Sequence, residues 1–168
     1  MFTIRTKIII WGSGFVLLAV VLGIFNLWTQ NRIIESTKIL ETQMEKHSLI
    51  CDLQLAINEA IMPGNDYIIT GKSGYKDEFD RLDSKVKKLL AEIKGSLYFT
   101  EEEKETVRKT GTLYEGVKDM SYQIFSKDYR ASGLEKLMEK MDYEYAAPAI
   151  EKVNFLKEGI GKSPLLSG

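Results

Sequence analysis

The chain begins with an apolar stretch, residues 8–28, that no charged residue interrupts. As a helix this stretch would be about 31 Å long at roughly 1.5 Å per residue, which matches the roughly 30 Å hydrocarbon core of a bilayer. A helix also satisfies every backbone polar group within the segment, as lipid requires. Trp11 and Trp28 lie near its two ends, where amphipathic rings favour the headgroup region. The pattern therefore predicts a transmembrane helix.

Beyond residue 28, apolar positions recur mostly every three or four residues, which is typical of amphipathic helices. The first helix is predicted to run on from the span without a break through residues 29–61. Its apolar positions are Ile33, Leu40, Met44, His47, Ile50, Leu53, Ile57 and Ala60. Pro63 lacks a backbone donor and clashes with the preceding turn, so a kink or restart is expected there. One or two further turns should then end at Gly71 in the left-handed conformation.

Three more helices are predicted, and no segment alternates with the period of two that a strand requires. The second begins after Ser73 and presents Tyr75, Phe79, Leu82, Val86, Leu89, Ile93 and Leu97. The third begins at a capping box of Thr100 and Glu103 and presents Val107, Thr110, Tyr114, Val117, Ser121 and Ile124. The fourth, which Pro148 should bend, presents Leu134, Leu137, Met141, Tyr145, Ala149, Val153, Leu156 and Ile160.

Four segments of similar length with short links predict an antiparallel up-down-up-down four-helix bundle. The expected fold class is all-α, with an N-terminal transmembrane helix that continues into this bundle. The links at residues 63–74 and 126–133 should then meet at the membrane-distal tip. The predicted divisions are a cytoplasmic N-terminus at 1–7, a span at 8–28, the bundle at 29–160 and a disordered tail at 161–168.

Composition narrows the function classes. Charged residues make up 28% of the chain and the formal net charge is −1, which argues against a nucleic-acid binder because such proteins need a basic excess. The single cysteine excludes an intramolecular disulfide framework. No phosphate-binding loop, metalloprotease helix or nucleophile elbow is present in the sequence. We therefore expect neither an enzyme nor a cofactor.

The apolar run is longer than the core of a signal peptide, roughly 7–15 residues, and no Ala-x-Ala cleavage site follows it. An uncleaved anchor is therefore expected. Arg5 and Lys7 precede the run with no acid nearby, which favours a cytoplasmic N-terminus.

A basic N-terminus, one span and an extracytoplasmic four-helix domain together resemble the sensor region of bacterial transmembrane receptors. The segment 62–71 reads Met-Pro-Gly-Asn-Asp-Tyr-Ile-Ile-Thr-Gly and precedes Tyr75 and Phe79. It looks like the Tyr-Leu-Leu-Thr-Gly turn of two related domains. These are the four-helix ligand-binding domain of methyl-accepting chemotaxis proteins and the CHASE-type domain of sensor histidine kinases and diguanylate cyclases. The Ala-Ala-Pro-Ala-Ile segment at residues 146–150 is also similar.

The resemblance implies a sensor in the bacterial inner membrane, with the bundle in the periplasm or another extracytoplasmic space. It also implies a homodimer formed through the first helix and a small-molecule or protein ligand. Such receptors have a second span and an output module after the fourth helix, whereas this sequence stops at Gly168. We therefore expect a receptor truncated before those parts. The alternative is a single-span structural protein that scaffolds an envelope assembly.

Candidate ligand contacts fall at the predicted tip. Asn65, Asp66 and Tyr67 lie at the expected kink, where they would face a ligand. Basic side chains from both links should gather beside them and attract a small anion; these are Lys72, Lys76, Lys127 and Arg130. The alternative is that Asn65 and Asp66 cap a restarted helix, that Tyr67 packs the tip, and that the basic residues form a solvated surface.

Two other groups have specific alternatives. Gly12, Ala19 and Gly23 are small residues within the span that suit packing against another transmembrane helix, although small residues are common in spans. His47 and Cys51 lie four residues apart, a spacing that can ligate a metal. One chain supplies only these two ligands, and a second copy would have to supply two more. We therefore interpret both as packing residues and predict no metal site.

Overall fold

The structure is a computed structural model that describes the backbone of residues 4–161; the side-chain surroundings are described for the same residues except 5–13, 15, 31, 35 and 161. The chain divides into two compact units, Met1–Thr42 and Gln43–Gly168. All regular structure in the described range is helical, and it forms four helices with no strand. The elements are α1 (Ile4–Thr70), α2 (Gly74–Gly95), α3 (Glu101–Phe125), and a fourth helix composed of α4 (Leu134–Lys140), a π-helical turn (Met141–Ala146) and α5 (Ala147–Gly161).

In the first unit the described chain is helical, and most of the apolar side chains whose surroundings are described are exposed. One helix in the described part of the chain is long and apolar enough to cross a membrane, judged by length and composition. At the end of the apolar stretch, the Trp28 and Phe25 rings lie 6.1 Å apart, and the Arg32 guanidinium lies 4.7 Å from the Trp28 ring centroid. The prediction of an apolar N-terminal helix is thus confirmed.

The second unit contains the hydrophobic core, and the predicted apolar positions account for most of it. All six positions named for α3 are buried. On α2 the side chains of Phe79, Leu82, Val86 and Ile93 are buried as expected. Leu90 is buried where Leu89 was expected, and Leu97 is 94% exposed because α2 ends at Gly95. The Thr100–Glu103 capping box is present, with both reciprocal hydrogen bonds.

Contacts between distant residues relate the helices of this unit. Lys46 on α1 pairs with Glu103 at the start of α3, and Tyr67 near the end of α1 bonds to Lys127, just after α3. Gln54 on α1 donates a hydrogen bond to Asn154 on α5, at 2.8 Å. Between residues 46 and 67, α1 therefore contacts the start of α3, α5 and the residues just after α3.

Pro63 does not interrupt α1, which continues to Thr70, so the predicted restart is wrong. Pro63 and Gly64 are both buried, and a Cβ at Gly64 would lie at ordinary contact distance from Ile124, Met138 and Met141. Packing on α3 and the fourth helix therefore keeps the segment helical despite the lost backbone donor. Gly71 then ends α1 with φ of 70°, as predicted.

The fourth helix changes its winding before Pro148. The π-helical turn Met141–Ala146 precedes it, and the Ala147 N–H donates to the Asp142 carbonyl five residues back. Such a turn is a recognised irregularity at the site of a helix distortion. Ser73 precedes α2 as expected, but its side chain makes no capping hydrogen bond because its backbone is already helical.

His47 was expected to face the core and is instead exposed, as is Met44 at 65%. Ile50, Leu53, Ile57 and Ala60 are fully buried. The apolar positions of α1 therefore divide between two sides of the helix, whereas the sequence pattern was assigned to one.

Candidate functional site

The two links that the sequence assigns to the tip meet at one end of the second unit. The Tyr67 hydroxyl donates to the Lys127 carbonyl oxygen at 2.7 Å, and the Tyr67 ring packs edge-on against Phe125 with centroids 5.5 Å apart. A Cβ added to Gly71 would clash with the Tyr129 ring. Only a glycine permits both this approach and the positive φ of Gly71. We call this meeting of residues 63–74 and 126–133 the tip.

Basic side chains surround the tip. The Arg130 guanidinium lies 5.1 Å from the Tyr129 ring centroid, and its Nε donates to the Tyr129 hydroxyl at 2.8 Å. The Arg130 backbone N–H donates to Asp128. Within the described range, no ion pair joins Lys72, Lys76 or Lys127 to a carboxylate. Lys72 and Lys127, within the links, and Lys76, in the first turn of α2, are thus exposed and form no ion pair within that range.

The remaining predicted ligand contacts lie on the last turns of α1. Asn65 is exposed and Asp66 is half-buried. Neither caps a helix start, because α1 is continuous there; the Asp66 carbonyl instead accepts a hydrogen bond from the Thr70 hydroxyl at 2.8 Å. The side chains of these two residues thus add a carboxylate and an amide to the last turns of α1.

A buried ion pair, which the sequence reading missed, lies where α1 meets the start of α3. Lys46 Nζ contacts Glu103 Oε1 at 2.6 Å and lies 5.2 Å from the Phe99 ring centroid. Burial alone would raise the Glu103 pKa, but the hydrogen bonds from Lys46 and from the Thr100 backbone outweigh it and lower that pKa. The same carboxylate thus closes the capping box of α3 and holds α1. The signal in the sequence was the spacing of Lys46, which lies four residues before Ile50 and seven before Leu53 and therefore on the buried side of α1.

A second polar cluster lies between α2 and α3. Asp83 is buried and accepts a hydrogen bond from Lys87 at 2.7 Å, which raises the Lys87 pKa. Tyr122 donates to Asp80 at 2.7 Å. Tyr114 is fully buried and its pKa is raised by that burial first and by the nearby Asp83 second. Of these contacts, the hydrogen bond from Tyr122 to Asp80 joins α3 to α2.

His47 and Cys51 lie side by side on the exposed part of α1. Cys51 Sγ is 3.6 Å from His47 Nδ1, His47 is exposed and Cys51 is half-buried. No group of three or more histidine, cysteine, aspartate or glutamate side chains in the described chain is arranged to hold a metal. One copy therefore presents two adjacent soft ligands and no complete coordination sphere.

Of the small residues in the predicted span, Ala19 and Gly23 lie exposed on α1, and a Cβ at Gly23 would meet nothing within 4 Å. Within one chain this surface is uncovered, and a helix of another chain can pack against it. Gly12 lies in the same helix but outside the residues whose side-chain surroundings are described. The predicted tail falls outside the described residues except for Gly161, which is the last residue of α5.

Comparison with known proteins adds no relative: no family model, no curated protein and no solved structure matches this chain. Function must therefore be argued from the geometry alone.

Proposed function

We propose that this chain is the membrane-anchored signal-input domain of a bacterial receptor, with a ligand site at the tip. The observation that carries the proposal is the tip itself. Two links distant in sequence meet there through Tyr67 and Gly71, and the basic residues of these links, Lys72, Lys127 and Arg130, form no ion pair in the described chain. The helix that forms one side of the tip is α1, which also contains the apolar stretch.

The proposed arrangement of the bundle is up-down-up-down. Lys46 contacts the start of α3 and Tyr67 contacts the residue that follows its end closely, which supports parallel α1 and α3. Gln54 contacts Asn154, whereas Gly64 lies near Met138, which supports an antiparallel fourth helix. In this topology the tip points away from the end at which α1 enters the unit.

The proposed location is the inner membrane, with the N-terminus in the cytoplasm and the second unit outside. Support comes from the exposed apolar side chains of α1 and from Trp28, because the Arg32 guanidinium lies over the Trp28 ring. An aromatic ring with a cation over it suits the boundary between hydrocarbon and headgroups.

The proposed receptor is a homodimer. In the second unit, α1 exposes uncharged side chains on the side opposite the core, including Met44, Leu55 and Met62. A helix that is apolar on two sides needs two partners to cover it. A second copy supplies the missing partner, and a ligand at the tip would then bias the packing of α1 by a small shift or rotation.

A thermal-shift screen tests the ligand site. The full chain in detergent is heated with amino acids, dicarboxylates or inorganic phosphate, because a ligand that binds the native state raises the melting temperature. We expect at least one anion to raise it, and Arg130→Ala to abolish the shift. The matched control is Lys88→Ala, which removes an exposed cation on α2 away from the tip. If no compound shifts the wild type, the direct-sensing proposal fails.

The second candidate function is a single-span scaffold of the cell envelope. It is favoured by the Tyr67 hydroxyl and the Arg130 Nε, which are both already occupied by partners within the chain. A scaffold needs a stable association surface and no ligand. Chemical cross-linking of the full chain in membranes, with and without the active compound, separates the two: a sensor should change its cross-linking pattern and a scaffold should not.

A further inference from the structure

The side of α1 opposite the core exposes large apolar side chains within the second unit. We call it the outward face; its members are Met44, His47, Cys51, Leu55, Met62 and Ile69. Steps of three, four and seven residues place them along one side of a helix. Leu55 is 53% exposed and Ile69 is 70% exposed. His47 and Cys51 lie within this surface and are the chain's single histidine and single cysteine.

The geometry of the pair matches that of two ligands on one metal ion. Cys51 Sγ lies 3.6 Å from His47 Nδ1 and 4.0 Å from His47 Nε2. In a tetrahedral zinc site, bonds of about 2.3 Å to sulfur and about 2.0 Å to nitrogen place the two ligand atoms about 3.5 Å apart. The side chains therefore already have the spacing that coordination requires.

A single copy cannot complete the site, but two copies can. Membrane anchors at the same end of each chain would orient two copies in parallel. In a parallel pair related by a two-fold axis, each residue near the axis lies opposite its own counterpart. Around the helix, Cys51 lies near the centre line of the outward face. Pairing of two copies through that face therefore brings two thiols and two imidazoles together. This gives the Cys₂His₂ set of structural zinc sites.

We propose that two copies of this chain bind one zinc ion between them through His47 and Cys51. The inference rests on the proposed homodimer and adds a ligand to its interface. On binding, each thiol releases its proton to solvent and bonds to zinc as a thiolate, while the imidazoles bind as neutral ligands. Two thiolates balance the charge of Zn²⁺, so the site adds no net charge to the interface.

The metal has a predictable consequence for assembly. Zinc that binds only the paired state stabilises that state by mass action. We expect zinc to lower the dissociation constant of the dimer at least about tenfold, and chelation to reverse the effect. The core of each copy should be unaffected, because neither ligand is buried in it.

The test uses the full chain in detergent with a phosphine reductant, which keeps Cys51 as a thiol. Co²⁺ is titrated as a spectroscopic substitute, and light scattering gives the oligomeric state with and without Zn²⁺. We expect one cobalt per two chains, a thiolate-to-cobalt charge-transfer band, and a tighter dimer. Cys51→Ser and His47→Gln should each abolish the band. Ser48→Ala, an exposed neighbour of His47 that supplies no ligand in this site, should preserve it.

The outcomes separate the metal site from the dimer. A dimer whose dissociation constant is unchanged by Zn²⁺, with no cobalt band, overturns the metal site and leaves the dimer standing. A chain that stays monomeric with and without Zn²⁺ overturns both. A cobalt band at one metal per monomer also contradicts the shared site. A band that survives in Cys51→Ser shows that the metal is held elsewhere and likewise overturns it.

Discussion

The two sides of α1 in the second unit are both apolar, yet only one of them is covered. Ile50, Leu53 and Ile57 on the inward side are 0% exposed, because α2, α3 and the fourth helix pack over them. On the outward face, Met44 is 65% exposed and Met62 is 60% exposed. Apolar side chains thus identify the surfaces of a helix that can be buried. Only the packing of the chain shows which of them is buried by other helices of the same copy.

Leu53 and Leu55 provide a matched pair for the largest expected difference. Leu53→Ala removes side-chain atoms from a fully buried position and should lower the free energy of unfolding by about 2–5 kcal/mol. Leu55→Ala should change it by less than about 0.5 kcal/mol in the monomer, and should weaken self-association instead. Denaturant unfolding of the full chain in detergent, with light scattering, measures both. Equal losses of stability would contradict the distinction between the two sides.

Lys46 is the exception on the inward side, because it is a charged residue that is only 7% exposed. Lys46→Ala leaves the Glu103 carboxylate without its counter-ion. Because Glu103 remains about one-fifth exposed, we expect a loss of about 2–3 kcal/mol, less than for a fully buried pair. Lys109→Ala is the control, since it breaks an exposed pair with Glu105 and should cost close to nothing. If Lys46→Ala and Lys109→Ala have the same melting temperature, Lys46 does not hold α1 to α3.

Periodicity predicted the helices and most of the core because burial of a helix face repeats every three to four residues. The restart predicted at Pro63 from its missing backbone donor does not occur, because burial against α3 and the fourth helix outweighs that loss. Periodicity wrongly assigned His47 to the core, because an uncharged outward position and an inward one follow the same spacing. Residue types alone cannot separate two apolar sides of one helix.

The candidate site was predictable in part. The order of the helices was enough to bring the two links to one end, and Gly71 signalled a left-handed residue there. The approach of Tyr129 to Gly71 and the hydrogen bond from Tyr67 to Lys127 were not predictable, because they depend on contacts across about sixty residues of chain. Outside the tip, the close approach of the Tyr145 ring to Gly116 was likewise not predictable, because it depends on how α3 packs against the fourth helix.

At Gly71, which ends α1, the loss of stability on substitution comes from the backbone conformation and a close contact, not from either side of the helix. Gly71→Ala places a Cβ at φ of 70° and against the Tyr129 ring, so we expect a loss of about 1–2 kcal/mol. Gly133→Ala is the control: its φ is 94° but nothing lies within 4 Å, so it reports backbone strain alone. The excess loss in Gly71→Ala, measured by thermal unfolding, reports the displacement of Tyr129. No excess would mean that the ring does not press on Gly71.

The smallest expected effect is the pH dependence of the free energy of unfolding that arises from the Lys46–Glu103 pair. The Glu103 pKa is lowered in the folded chain, because hydrogen bonds from Lys46 and Thr100 outweigh burial. The stabilisation from Glu103 is therefore complete above its ordinary pKa of 4.5 and is lost as the pH falls through the lower folded value. Because the carboxylate is partly exposed, we expect this contribution to be less than about 1 kcal/mol.

Glu103→Gln isolates that contribution, since glutamine can still complete the capping box while it carries no charge. Unfolding free energies of the wild type and the variant, measured between about pH 6 and about pH 3, should converge as the acid is reached. Glu102→Gln, at an exposed position one residue earlier, should track the wild type throughout. A constant gap between Glu103→Gln and the wild type across this range would mean that the charge of Glu103 does not stabilise the contact between α1 and α3.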